Sequence, residues 1–198
     1  MNIIREEDYR RFTQPYEDAL NNIKNRIDIL NQDYRRKHKN YAIHNMQQRI
    51  KKLSSTLHKL ENDKKEITLD SVKTNVLDIA GIRVICYFTE DVYEVIDLLK
   101  KFPDIEVIKE KDYIKNPKEN GYKSYHIVLG VPIYYIDGCQ IYPVEVQVRT
   151  MAMDFWASMD HRISYKNDSI NPKIEYKMFQ YAKLLDDIER KMTEFCEE

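Results

Sequence analysis

The chain has 198 residues, 42% of them hydrophobic, and a formal net charge of −1. That suits one domain with a real core, and it argues against a surface coated in positive charge for duplex binding. No run approaches the roughly 18 apolar residues of a membrane span, and the acidic start, Met1-Asn-Ile-Ile-Arg-Glu-Glu-Asp8, has no signal-peptide character.

Residues 9–34 read as a long helix, because Tyr9, Phe12, Tyr16, Leu20, Ile23, Ile27, Leu30 and Tyr34 recur at steps of three or four. Pro15 is tolerated in a first turn, so the helix is expected to start near it. A second, polar-faced helix is expected over much of 50–66. From Tyr34 to Glu66 there are ten Lys or Arg and three acids, about +7 against about −8 for the remainder. Such a run is either a solvated face or a platform for a polyanion.

Gly81–Phe88 is almost continuously apolar and β-rich, a buried strand. Asp91–Lys101 follows as a helix with Val92, Val95, Ile96 and Leu99 on one side, ended by Pro103. Ile105–Ile108, Ser124–Val131 and Ile141–Arg149 are expected strands, and 115–121 a loop. Met151–Ile163 returns to helix, and Ile174–Phe195 is a last helix with an apolar 3-4 seam. The sum is an α+β (α/β-like) fold, a mixed sheet of about five strands flanked by helices. It is expected to be one domain over 1–198, with a helical region to 44, a core over 45–166 and a C-terminal helix over 167–198. Cys86, Cys139 and Cys196 form no Cys-x-x-Cys pair and no zinc spacing, which fits a reducing cytoplasm.

Four groups of residues offer chemistry. In Val144-Glu-Val-Gln-Val-Arg149 the valines take one strand face and Glu145, Gln147 and Arg149 the other. That is either a half-exposed strand or a carboxylate placed in a cleft as general base or metal ligand. In Asp78-Ile-Ala-Gly-Ile-Arg83, Arg83 interrupts an apolar strand and needs a partner. Asp78 and Arg83 either form a structural pair, or Asp78 holds Mg²⁺ while Arg83 faces a nucleotide; Gly81 permits a close approach. Asn120-Gly-Tyr-Lys-Ser-Tyr-His126 is a hairpin arm or presents Tyr122 for base stacking, with Lys118 and Lys123 near phosphates. On the helix after Arg149, Met151, Phe155, Trp156, Met159 and Ile163 read as core, opposite Asp154, Ser158 and His161. The chain has four glycines and no phosphate-binding Gly-rich loop, so a triphosphate must be held by side-chain cations such as Arg49, Lys51, Lys52 and Lys59.

Taken in order, Arg49-Ile-Lys51, Asp78-Ile-Ala-Gly-Ile-Arg83, Gly121-Tyr-Lys-Ser-Tyr-His126, Glu145-Val-Gln-Val-Arg149-Thr and Met153-Asp-Phe-Trp-Ala-Ser-Met-Asp-His161 resemble the synthetase domain of the RelA/SpoT family, and its small single-domain members above all. The resemblance covers roughly residues 45–166. It implies transfer of the β,γ-pyrophosphate of ATP to the 3′-hydroxyl of GMP, GDP or GTP, releasing AMP, with no hydrolase site. It also implies Mg²⁺, with Mn²⁺ as substitute, on Asp78, with Glu145 near the same metal or acting as base on the acceptor hydroxyl. Arg49 and Arg83 would sandwich adenine, and Lys51 and Lys59 would grip the triphosphate. Tyr122 would stack on guanine, with Lys118, Lys123, His126 and Asp154 holding the acceptor. Gln147, Arg149 and His161 match active-site positions without a sharp role.

Small relatives imply a homotetramer, packed in part through the seams of the terminal helices. Some are activated by product held on basic residues of the first helix. Lys24 matches one such position, but Asp28 stands where a second cation is expected, so weak or absent activation is expected here. Asn62 replaces a second phosphate-gripping cation, a gap that Lys64 or Lys65 is expected to fill. The rivals are a pyrophosphokinase for adenosine nucleotides or tRNA, and a non-catalytic sensor of guanosine nucleotides or single-stranded RNA. The net charge does not support RNA, and a sensor would have lost Asp78 or Glu145.

Overall fold

A computed structural model describes residues 4–39, 41–166 and 172–195. The first helix, α1, runs over Glu6–His38, with acids in its first turn and bases in its last, both favourable to the helix dipole. Pro15 lies inside it and not at its start. An internal proline removes one backbone bond. Here Tyr9, Thr13, Tyr16, Ala19, Leu20, Ile23 and Ile27 are buried on either side of it, and that packing carries the helix through.

The segment before Lys51 is a strand, β1 (Ile43–Ile50), and the expected 50–66 helix is the shorter α2 (Leu53–Asn62). The N-terminal helical region therefore ends at His38, ahead of position 44. A further helix, α3 (Leu69–Asn75), fills the linker to Asp78, capped by the Thr68 hydroxyl accepting from the Ser71 N–H. Then come β2 (Ala80–Cys86), α4 (Thr89–Lys100), β3 (Glu106–Asp112), β4 (Tyr125–Tyr135), β5 (Gly138–Thr150), α5 (Met151–Lys166) and α6 (Pro172–Glu194).

The five strands form one mixed sheet in the order β1-β2-β5-β4-β3. β2 and β5 are parallel; the other neighbours are antiparallel. Alternation sends Ile82, Val84, Val144, Val146 and Val148 to one face, where each is buried against the core made with α1 and α4. That face is the wall on which the molecule is built. The opposite face carries the chemistry.

Candidate active site

Strand register alone assembles the polar face. One row of residues crosses all five strands as Arg49, Gly81, Glu145, Val128 and Lys109. The next crosses as Gln47, Arg83, Gln147, His126 and Lys111. Neighbouring strands stand about 4.8 Å apart, so the second row is a ladder of closely spaced polar groups, and the first sets Arg49, Glu145 and Lys109 on the same face with Gly81 and Val128 between them. Gly81 leaves room above itself, and Arg49 lies across it: a Cβ there would stand 3.7 Å from Arg49 Nε.

On the β1–β2 side the centre is Asp78. Lys51 Nζ donates to it at 2.8 Å and Lys59 Nζ at 2.7 Å. Burial pushes this carboxyl up, and the two ammonium groups outweigh it, leaving Asp78 below the ordinary carboxylate value. Lys51 is fixed from behind, because its N–H donates to the Ile79 carbonyl and its carbonyl accepts from Tyr9 Oη at 2.8 Å. The Asp78–Arg83 pair considered from sequence does not form. Arg83 instead reaches Asp154 at 3.3 Å and Gln47 at 3.3 Å.

Asp78 and Glu145 share one open cleft of about 330 Å³ with Lys59, Lys109, Lys111 and His126. Lys64 and Lys65, expected to compensate for Asn62, are exposed and do not line it. Lys109 and Lys111 bring cations there from the other edge of the sheet. Sequence reading missed both, although their spacing of two on a strand places them on one face.

On the β4–β5 side five side chains close a ring. Arg149 Nη2 donates to Tyr122 Oη at 3.1 Å and to Gln147 Oε1 at 2.7 Å. Gln147 Nε2 donates to Glu145 Oε2 at 2.8 Å. Tyr122 Oη lies 2.8 Å from His126 Nε2, and His126 Nδ1 lies 3.7 Å from Glu145 Oε1, a contact longer than a hydrogen bond. A guanidinium only donates, so Tyr122 Oη accepts from Arg149 and keeps its own proton available for His126 Nε2. Burial, then Arg149, Lys118 and Lys111, push His126 down to about 4, so it is neutral, and a proton on Nδ1 would face Glu145 when Nε2 accepts from Tyr122. Both arms from one guanidinium thus end at the two oxygens of one carboxylate.

Arg149 is 2% exposed, and burial lowers its pKa, though an arginine stays charged. Its counter-charge is Asp154, in the first turn of α5, 3.4 Å away and shared with Arg83. Asp154 is therefore engaged with two arginines, not standing free for an acceptor. The Tyr122 ring is flanked by cations, with Lys118 Nζ 4.9 Å and the Arg149 guanidinium carbon 5.6 Å from its centroid. A wide cleft of about 670 Å³ is lined by Arg49, Arg83, Lys118, Tyr122, Arg149 and, on α5, the exposed His161.

Lys123 is not among these groups. Its ammonium is 2.6 Å from Asp186 of α6, because successive residues of an extended segment point opposite ways and Tyr122 takes the cleft side. Of the stripe on α5 expected as core, Trp156 is buried, but Met151, Phe155 and Met159 are exposed; Gln147 and His161 do line the clefts of the polar face.

Residues 48–170 match a family model described as the region found in RelA / SpoT proteins. The chain is 35% identical to the GTP pyrophosphokinase YwaC of Bacillus subtilis, over 94% of this chain and 89% of that protein. It is 31% identical to the GTP pyrophosphokinase YjbM of the same organism, over 96% and 89%. Among solved structures it superposes on small alarmone synthetase 1 from Bacillus subtilis bound to its product pppGpp, with a TM-score of 0.86, 30% identity and 96% of each chain covered. Small alarmone synthetase 2 from the same organism superposes with a TM-score of 0.86 and 31% identity, over 96% of this chain and 98% of that one.

Proposed function

The chain belongs to the RelA/SpoT family and is a GTP pyrophosphokinase that makes guanosine alarmones, and from that premise we propose that it transfers the β,γ-pyrophosphate of ATP to the 3′-hydroxyl of GMP, GDP or GTP without hydrolysing the product. The observation that carries this reading is the placement of two carboxylates, Asp78 and Glu145, in one cleft between a cationic side and an aromatic side.

The adenine lies between the guanidinium planes of Arg49 and Arg83. The phosphates take Lys51 and Lys59, which exchange Asp78 for phosphate oxygens, with Lys109 and Lys111 completing the grip from β3. Guanine stacks on Tyr122, and Lys118 and His126 hold the acceptor near Glu145. Glu145 takes the proton of the 3′-hydroxyl as its oxygen bonds to the β-phosphorus. The bond from that phosphorus to the oxygen bridging to the α-phosphorus breaks, and AMP leaves with that oxygen. Positioning and charge neutralisation supply the rate, as in other phosphoryl transfers.

The donor set fits Mg²⁺. Among the described residues no group of three or more His, Cys, Asp or Glu forms a cage. Mg²⁺ keeps its waters and takes one or two carboxylates together with substrate phosphates, and Asp78 and Glu145 match that need. When bound, the ion would neutralise charge on the polyphosphate.

The chain is also proposed to assemble as a homotetramer in the cytoplasm. Of the two terminal seams, that of α1 is buried on the chain's own sheet. On α6, Tyr181, Leu184, Ile188 and Met192 remain exposed at 3-4 spacing. Light scattering should show a multiple of the 23.9 kDa chain; a stable monomer at micromolar concentration excludes the assembly. No helix among the described residues is long and apolar enough to cross a membrane.

The reaction is tested with ATP labelled at the β-phosphorus and GMP, GDP, GTP, ATP or tRNA as acceptor. Label should move into the guanosine nucleotides with one AMP released per transfer. Label in adenosine nucleotide or tRNA alone, or in none, overturns the assignment.

A further inference from the structure

We propose that α6 is a clamp for the acceptor platform, and that Lys123, Asp186 and Glu189 are positioning residues acting through Tyr122 and Arg149. The proposal rests on the reading of Tyr122 as the surface that receives guanine. Tyr122 belongs to the irregular segment between β3 and β4, where no strand ladder fixes the backbone. A stacking platform must nevertheless be held in place, since small misplacements of a substrate are costly in rate.

The structure assigns that task to one stripe of α6. Gly121 sits at φ +90°, and a Cβ there would be 2.8 Å from Ala182 Cβ, so the helix lies directly against the loop backbone. Lys123 Nζ meets Asp186 one turn further on. The residues on either side of Tyr122 are thus gripped by positions 182 and 186, while Tyr122 turns the opposite way into the cleft. One turn earlier the Met178 carbonyl accepts from Trp156 Nε1 at 2.8 Å, and the Trp156 ring lies 6.4 Å from Tyr122. Towards the other end, Glu189 accepts from Thr89 Oγ1 at 2.7 Å and from the hydroxyl of Thr150, the residue after Arg149. Residues 178, 182, 186 and 189 follow at steps of four or three, a single helix face. Both members of the pair Tyr122–Arg149 are therefore anchored to it.

This gives Lys123 a role different from a phosphate ligand. A direct ligand acts by its own charge; a clamp acts through the pair, and the pair can be inverted. The experiment compares Asp186→Asn, Lys123→Asp and the double exchange Lys123→Asp/Asp186→Lys with the parent. Two readouts are taken, the KM values for GDP and for ATP, and GDP binding without ATP. Trp156, the chain's single tryptophan, reports the binding by fluorescence.

Each single variant should raise the GDP Kd and KM about tenfold, less than the ~10²-fold of a full misplacement because the pair is partly exposed. The ATP KM should stay within about twofold, and the double exchange should recover most of the loss, as coupled neighbours do. If Asp186→Asn melts below the assay temperature, Lys123→Met is read in the same way. An unchanged GDP Kd, an equal rise in the ATP KM, or a double exchange no better than Lys123→Asp alone overturns the clamp. A parent that binds GDP but transfers no pyrophosphate would instead defeat the functional reading, leaving the binding comparison intact.

Discussion

On the β1–β2 half of the polar face, Arg49 and Arg83 stand on paired strands, and Lys51 and Asp78 flank them 27 residues apart. On the β4–β5 half, Tyr122 stands on a loop that owes its position to α5, α6 and the end of β5. Backbone ladders pair the strands of both halves, but Tyr122 stands off them, held by turn bonds of its own loop and by side chains from distant elements. The contrast suggests a rigid seat for ATP beside a seat for the acceptor that can be tuned from outside. Substitutions in the first half should damage chemistry and ATP use together, and those in the second should separate acceptor binding from the rest.

The largest effect is expected where the halves meet. Glu145→Gln keeps size and removes the charge, and should cost roughly 10²–10⁴ in kcat, the range for a lost general base. Asp78→Asn should be at least as damaging, because it removes the carboxylate proposed for the metal and leaves Lys51 and Lys59 without their partner. Either variant folded and near full activity at saturating Mg²⁺ breaks the assignment of that residue.

Arg149→Met should come next. It removes a buried guanidinium shared by Tyr122, Gln147 and Asp154, and breaking such buried pairs costs about 3–5 kcal/mol. Urea unfolding should show that loss, while Tyr122→Phe, which keeps the ring and drops only the hydroxyl, should leave GDP binding nearly intact and lower kcat. If Tyr122→Phe weakens GDP binding as much as Tyr122→Ala, which loses about 1–3 kcal/mol of stacking, the hydroxyl and its contacts with His126 and Arg149, not the ring, carry the acceptor.

A third comparison uses pH. Burial first, then nearby cations, hold His126 at about 4 against an ordinary 6.5. The unfolded chain takes up that proton as pH falls through 6.5 and the folded one does not until about 4, so acidification across this window removes stability, at most about 3 kcal/mol. Burial raises Asp91 to about 6 from 3.8, against the Phe88 N–H that favours its charge. The folded state binds this proton first, so the same acidification adds stability. Relative to the parent, His126→Gln should gain stability between pH 6.5 and 4, and Asp91→Asn should lose it between pH 6 and 4. Melting curves of the three proteins across this range decide the signs, and parallel curves would mean that neither group is shifted.

The smallest effect concerns regulation. Lys24 Nζ is 2.8 Å from Asp28, so its charge is already answered within α1. Added alarmone should change the initial rate by less than about twofold, since Asp28 repels a polyphosphate at the place where a second cation would hold it. Several-fold activation, abolished by Lys24→Ala, would contradict this.

What sequence could show follows the same division. The alternation Val144-Glu-Val-Gln-Val-Arg149 and the apolar run after Gly81 fixed β5, β2 and the face on which Glu145 and Arg83 stand, because side-chain period reports burial directly. β1 escaped, since Ile43–Ile50 is a mostly exposed edge strand whose pairing with β2 is made by backbone groups of no particular residue type. The charged edge β3 was read only in part for the same reason, and with it went Lys109 and Lys111. Partner choice was the least legible feature. Asp78 takes two lysines and not Arg83, and Lys123 takes Asp186, because these contacts are set by how the end of β1, α2 and α6 pack in three dimensions. Pro15 shows the converse, a local signal overridden by burial on both sides of it.

We propose that one sheet face seats ATP at β1–β2 and the guanosine acceptor at β4–β5, with Glu145 between them. This arrangement is tested most directly by a crystal structure with a non-hydrolysable ATP analogue, GDP and Mg²⁺ bound together. Adenine should lie between Arg49 and Arg83, guanine on Tyr122, and the GDP 3′-oxygen within hydrogen-bond reach of Glu145, in line with the β-phosphorus. Adenine on Tyr122, or a 3′-oxygen held away from Glu145, would contradict it.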